Sequence, residues 1–377
     1  MSSPRVRVRA QRRAMTVAVT GAATPVGDHI VRALLARSAE GATRSAEGAT
    51  IGTVVGLGGE RGGADGVSWR LADLDSPDLA RALRGVDAVI HMAASTDLAA
   101  DLRASARTRR ERATRQIQTV VISAAAAGVA RLVVVTSAMT YGASPANAVP
   151  LLEDAPLAAD PDEGQVGDLL AVEQILRAAG EVHPGLAITV VRPAALVGPD
   201  IDTFITRHFE APRLLTIKGG CPAWQFCHVD DLATALVSTV ELGLGPVVTV
   251  ASDGWMTQVE IEEVSGMRPV ELSETMALGI GQRLHRVGVL PFPATDLAYA
   301  VHPWAVPSST LQAAGWRPAY DNVTCLGVLL DNIRGHHAIS ARRVDRKDAA
   351  LGAASAAVAL VGTAAIMRRR RRKGGGA

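Results

Sequence analysis

Lysine is almost missing from this sequence. Lys218, Lys347 and Lys373 are the only three, and arginine supplies the other 36 of the 39 basic residues. No lysine stands before position 218, which excludes chemistry that needs an ammonium group from the first half of the chain. Aromatic residues are only 3%, and the tyrosines are Tyr141, Tyr299 and Tyr320. Cysteine is scarce as well. Cys221, Cys227 and Cys325 form no CxxC pair, and an odd count argues against a disulfide scaffold. Reduced thiols in a cytoplasmic protein are expected. No P-loop, Ser-His-Asp spacing or zinc pattern occurs, so no metal site is expected. The formal charge is +2 with its excess at the two ends, which gives no reason to expect a nucleic acid partner. Residues 1–14 are basic but lack an apolar run, so they are no secretory signal; a disordered arm is expected.

What is present is a long alternation of strands and helices. The length of 377 residues is enough for a full α/β core and a smaller lobe. MTVAVT (15–20) suits a buried parallel strand, and GDHIVRALLARS follows at helical spacing. Residues 38–44 repeat almost perfectly at 45–50, which reads as a low-complexity loop before the strand TIGTVVGL. VSWRLADL is a strand running into a loop. SPDLARALRG is a helix started by Ser76 with Pro77 first. DAVIHMAAS, RLVVVTSAMTYG and LAITVVRPAALVGP read as further strands, separated by RATRQIQTVVISAAAAGV and EGQVGDLLAVEQIL as helices. Repeated βα units predict a Rossmann-like doubly wound parallel sheet. Residues 15–335 form that unit, with a smaller mixed C-terminal substrate lobe drawn mainly from about 200–225 and 255–320. Residues 336–377 read as an Ala-rich helix with a basic tail. Residues 349–367 carry no charge over 19 positions and precede RRRRRK. That length would span roughly 28 Å, but its Ala and Gly content makes insertion marginal. Peripheral contact and a single-pass span through 349–373 are both open, with the chain cytoplasmic or at the inner face of the plasma membrane.

The strand ends carry a cofactor signal. TGAATPVG (20–27) follows the first strand and opens a helix, with Gly21 and Gly27 outermost and Thr24 in the middle position. Such a turn lets backbone approach a pyrophosphate, whose charge the helix N-terminus stabilises. Asp73 ends the third strand, where a carboxylate can accept from an adenine amine. Met92, Ala93 and Ala94 end the fourth with small side chains after His91, and Thr136 and Ser137 end the fifth. The second strand ends GLGGER, with no carboxylate at Gly58 or Gly59. Arg61 either pairs with a 2′-phosphate, favouring NADP over NAD, or is a solvated loop residue.

These stretches, with VVRPAALVGP, FCHVDDLATAL and AAGWRP, resemble an extended short-chain dehydrogenase/reductase of the NAD-dependent epimerase/dehydratase family. Their order is also similar to an actinobacterial subgroup labelled UDP-glucose 4-epimerase-like. The resemblance runs from residue 16 to about 320. It implies that Gly21, Pro25, Val26, Gly27, Asp73, Leu74 and Ala93 contact NAD or NADP, with Arg192 and Pro193 near the nicotinamide. It also implies a nucleotide-sugar or other small substrate in the C-terminal lobe, and it is compatible with a homodimer. The family's catalysis uses a Tyr and a Lys four residues apart on one helix face, plus a Ser or Thr on the fifth strand. Ser137 matches the last role. AVEQIL resembles the segment just after the Lys, which places Gln165 and Leu169 at the Tyr and Lys positions. No register restores the pair: four residues beyond the tyrosines stand Pro145, Pro303 and Thr324. Tyr141 is a weak substitute acid. His228 with Asp230 and Asp231 reads as an anchor for the lobe, and Glu163 and Asp168 as helix-start caps. The expected function is a dinucleotide- and nucleotide- or nucleotide-sugar-binding protein without standard Tyr/Lys catalysis. An active epimerase or oxidoreductase with an unorthodox proton path is the alternative.

Overall fold

The structure is a computed structural model. It describes residues 14–41 and 50–333, apart from Leu102, Glu163, Pro212, Glu274, Leu278 and residues 280–281 and 284–293. It also describes the backbone of 336–339 and 342–345. The basic arm through residue 13, the centre of the 38–50 repeat and the tail from 346, including 349–373, lie outside the described residues.

Strand β1 (Met15–Thr20) runs through the middle of the molecule and is buried at five of its six positions. That explains its unbroken apolar run: helices cover both faces of a parallel sheet, so alternation is not needed. Helix α1 (Pro25–Gly41) leads to β2 (Ile51–Gly58) and β3 (Ser68–Leu71). The chain continues through α2 (Leu79–Ala82), β4 (Ala88–Met92), α3 (Leu98–Asp101), α4 (Ala106–Ala126) and β5 (Arg131–Val135). A 3-10 turn at Ala138–Tyr141, α5 (Gln165–Val182) and β6 (Ala187–Pro193) follow. After β6 come β7 (Ala195–Val197), α6 (Phe204–Glu210), β8 (Leu214–Ile217), β9 (Phe226–His228), α7 (Val229–Leu242) and β10 (Val247–Val250). Helix α8 (Gln258–Ser265) and β11 (Pro269–Leu272) lie in the second half, before the helices Ser309–Ala313 and Asn322–Ile333.

Seven strands form one parallel sheet in the order β3-β2-β1-β4-β5-β6-β10. The order reverses between β1 and β4, where connections leave to opposite faces and a crevice opens at the strands' carboxyl ends. Two cores result. Ile30 and Leu34 of α1 and Leu232 and Leu236 of α7 fill one face. Ile117 and Val120 of α4 and Val172 and Leu176 of α5 fill the other. The doubly wound fold read from the sequence is the fold found.

Outside the main sheet, the second half forms two short parallel strand pairs. β8 pairs with β11 in parallel, and β7 with β9. From β9, α7 and β10 return the chain to the main sheet. The HVDD stretch ties the lobe down. His228 caps α7 and stacks on Tyr320 at 3.7 Å, while Asp231 accepts from the N–H groups of Ala319 (2.8 Å) and Tyr320 (3.1 Å).

Four local expectations differ. The helix read from Ser76 starts at Leu79, because Ser76 and Pro77 are spent on a turn in which the Leu79 N–H donates to the Ser76 carbonyl. Helix α4 starts earlier than its apolar pattern, since Ser105 caps it by accepting from the Thr108 N–H at 3.1 Å. The fifth strand stops at Val135, and Tyr141 lies in the 3-10 turn beyond. Beyond residue 335, His336–Ile339 pairs with Arg342–Asp345 as an antiparallel ribbon where the sequence suggested the start of a helical unit. Among the described residues, no helix is long and apolar enough to cross a membrane.

Candidate functional site

The turn after β1 is built by packing constraints. The Gly21 N–H donates to the Leu57 carbonyl at 2.8 Å, and its φ of +64° lies in the left-handed region that favours glycine. At Gly27 a Cβ would stand 2.1 Å from the Gly21 carbonyl oxygen, so only glycine lets α1 sit on the turn. Thr24 fills the middle position. Its hydroxyl donates to the Gly21 carbonyl (2.8 Å) and accepts from the Gly27 N–H (3.1 Å). Pro25 opens the helix and has no N–H to offer. Val26 therefore carries the first N–H of α1. Neither it nor the Ala23 N–H has an acceptor among the described residues. Two open donors at the positive end of a 17-residue helix make a seat for an anion. A cavity of about 390 Å³ opens at this turn, lined by Ala23, Thr24, Pro25, His29 and the loop residues Gly62 and Gly63. The donors and the close glycine packing fit a dinucleotide's pyrophosphate.

The rim of this crevice is exposed. Glu60 and Arg61 follow β2 and both face solvent. Trp69 of β3 packs against this end, where a Cβ at Gly56 or Gly62 would come within 2.5 or 2.7 Å of its ring. Asp73 is exposed, with one carboxylate oxygen accepting from the Asp75 N–H at 2.9 Å, and Leu74 is half-buried beside it. Met92, Ala93 and Ala94 are half-buried at the end of β4. The N–H groups of Ala93 and Ala94 both donate to the Val135 carbonyl, which draws this end onto β5. His91 sits below, with Nδ1 2.8 Å from the Thr20 hydroxyl. Burial lowers its pKa to about 4, so it is a neutral cross-link between β1 and β4.

Behind β5 and β6 lies a buried polar knot centred on Glu173. Its Oε1 accepts from the Thr136 hydroxyl (2.8 Å), the Thr140 hydroxyl (3.2 Å) and Arg192 Nε (3.1 Å), and its Oε2 from Arg192 Nη2 (2.5 Å). Arg192 also lies 4.6 Å from the centre of the Tyr141 ring. The Tyr141 hydroxyl donates to the Glu153 carbonyl at 2.9 Å. Burial raises its pKa, with Arg192 pulling the other way. Ser137 is half-buried and caps the 3-10 turn, accepting from the Met139 N–H at 3.2 Å. Pro193 is buried at the end of β6. Gly21, Pro25, Val26 and Gly27 thus come together in one turn, with Met92, Ala93, Ala94 and Ser137 at neighbouring strand ends. Thr136 and Arg192 are buried on Glu173, and Arg61 and Asp73 stand on the exposed rim.

Helix α5 begins at Gly164 with no side-chain cap. Gln165 donates from Nε2 to Asp101 at 2.5 Å, and Leu169, one turn on, is buried. Asp168 is not the helix cap that the sequence suggested. It is buried and accepts from Arg109 Nε (2.5 Å) and Arg110 Nε (2.9 Å), so it clamps α5 to α4. Burial raises its pKa, and the two arginines oppose that. Glu163 lies outside the described residues. A second cavity, of about 330 Å³, opens beside this end of α5. It contains Asp296, whose carboxyl is pushed up to about 7 by burial first and then by Asp162, with Arg109 opposing and Asp168 adding.

Residues 17–248 match the model of the NAD dependent epimerase/dehydratase family. The chain belongs to this family. Uncharacterized proteins of Mycobacterium tuberculosis and Mycobacterium bovis are 29% identical over 201 residues, which is 53% of this chain and 53% of theirs. The chain spans about half the length of the curated relatives it matches. Among solved structures, a UDP-N-acetylglucosamine 4-epimerase from Bacillus cereus has 18% identity and a TM-score of 0.57, covering 85% of this chain and 100% of that one. A UDP-glucose 4-epimerase from Thermus thermophilus in complex with NAD has 20% identity and a TM-score of 0.60, covering 85% and 99%. A dTDP-glucose 4,6-dehydratase from Streptomyces venezuelae with NAD and TYD bound has 20% identity and a TM-score of 0.61, covering 85% and 97%. At these identities the likeness is one of fold.

Sequence reasoning missed several groups in this epimerase/dehydratase chain. Glu173 was visible in AVEQIL, and an acid inside an otherwise apolar helix face is a signal that a buried base awaits it. Arg109 and Arg110 stood in a run of charge that reads as solvated surface. Asp296, within ATDLAYA, carries no motif at all.

Proposed function

We propose that this epimerase/dehydratase-family protein binds NAD or NADP at the β1–α1 turn and a nucleotide or nucleotide sugar beneath the C-terminal lobe. In this reading it works as a binding or sensing protein without the standard Tyr/Lys proton relay. One observation carries it. In the first two turns of α5, the sequence register puts at the relay positions Gln165, whose amide binds Asp101, and Leu169, whose side chain is buried. Neither exchanges a proton near neutral pH. The nearby candidates do not replace them, because the Tyr141 hydroxyl is held by Glu153 and Ser137 caps its own turn. The open N–H groups of Ala23 and Val26 support dinucleotide binding, as do relatives solved with NAD. Arg61 on the rim supports NADP, since no carboxylate ends β2 to hold a ribose hydroxyl. Residues 349–373 are proposed to touch the inner membrane face.

The test is turnover. The full chain, loaded in turn with NAD, NADH, NADP and NADPH, is incubated with a panel of nucleotide sugars, and epimers and redox products are measured. No product above background is expected. Turnover that disappears in Ser137→Ala or Tyr141→Phe would overturn the binding reading in favour of an unorthodox proton path.

A further inference from the structure

The cavity beside the N-terminal end of α5 is separate from the cofactor turn, since neither Gly21 nor Val26 lines it. It holds a carboxyl group that accepts no hydrogen bond among the described residues. That group, Asp296, is 6% exposed and faces the cavity. Buried carboxylates are nearly always paired, so a lone one marks a missing partner. Asp160 and Asp162 line the same cavity from the loop before α5. The oxygens of Asp162 are engaged by the Gly164 N–H and the Thr295 hydroxyl. Asp168 and Arg109 act on Asp296 from α5 and α4. Arg109 and Arg110 both bind Asp168, and neither lines the cavity. His302 is the other titratable side chain of the wall beside Tyr299, whose hydroxyl donates to the Met139 carbonyl. Among the described residues, the wall therefore carries three carboxylates and no Lys or Arg. Among the described residues, no cluster has the ligands to hold a metal ion.

The geometry points to a binding site for an amino sugar, with Asp296 as the counter-ion of its ammonium group. This rests on the reading that the lobe takes a nucleotide sugar. Three carboxylates repel phosphate, so the diphosphate stays outside and the amine-bearing ring enters. A neutral sugar would leave the carboxylate desolvated and unpaired, and is the weaker ligand. The carboxyl ionises near pH 7, so affinity for the cation rises as pH rises through that value.

UDP-glucosamine and UDP-glucose are titrated calorimetrically into the full chain at pH 7.5 and 5.5. At pH 7.5 the amino sugar is expected to bind on the order of 10-fold more tightly, and at pH 5.5 the preference should shrink to about 3-fold or less. Asp296→Asn should bind both alike at either pH. Equal affinities at pH 7.5, no binding of UDP-glucosamine, or a preference that persists in Asp296→Asn each overturns the proposal. The pH comparison uses the unaltered chain and so does not depend on the variant folding. Dinucleotide binding is measured separately. Its failure with the amine preference intact removes the cofactor reading alone, and the reverse outcome removes this site alone.

Discussion

A buried carboxyl and a buried ion pair set opposite demands on the fold. Asp296 has a folded pKa of about 7, above the roughly 3.9 of an unfolded aspartate. The folded state therefore holds its proton more tightly, and stability falls as pH rises from about 4 to about 7. Asp296→Asn removes that cost. Its melting temperature should exceed that of the unaltered chain by roughly 5 °C at pH 8 and by much less at pH 5. Equal gains at both pH values would show that the carboxyl is not the cause. Glu173 behaves the other way. It is fully paired, and its removal leaves the Arg192 charge buried without a partner. Glu173→Ala should lose roughly 3–5 kcal/mol, seen as a melting temperature lower by roughly 10 °C. The exposed pair Arg107–Glu111 is the comparison, and Arg107→Ala should leave melting unchanged.

At the scale of the element, α5 shows how one helix carries two kinds of glycine. At Gly167 a Cβ would stand 2.2 Å from the Asp162 carbonyl oxygen and 2.5 Å from Arg110. At Gly180 nothing lies within 4 Å. Gly167→Ala should therefore destabilise the chain by roughly 1–3 kcal/mol through forced movement of the 161–162 loop. Gly180→Ala should stabilise it by up to roughly 1 kcal/mol through helix propensity. Both are read from thermal or urea unfolding, and the same sign for both would contradict the packing described. The apolar face of α5 was legible from spacing, because Val172 and Leu176 recur at helical intervals. The role of Asp168 was not. A carboxylate in a first helical turn reads as a cap, and only the approach of Arg109 and Arg110, 59 and 58 residues away, gives it another task.

At the scale of the whole molecule, the parallel sheet was the most legible feature. Strands buried on both faces must be continuously apolar, and glycines at tight turns punctuate them. The crevice at the reversal of strand order follows from that topology, and so do the Gly21–Gly27 turn and the small residues at 93–94. Tyr141 was harder. Nothing local tells a strand end from the 3-10 turn that carries its hydroxyl to Glu153. Asp296 was illegible, because its burial depends on segments more than a hundred residues earlier in the chain.

Calorimetric titration of the full chain with NAD, NADH, NADP and NADPH is the most direct test that the β1–α1 turn is a working cofactor seat. Saturable uptake of one dinucleotide per chain is the predicted result, with the 2′-phosphate form preferred if Arg61 reads it. A chain that takes up none of the four would contradict the seat formed by Gly21, Val26 and Gly27.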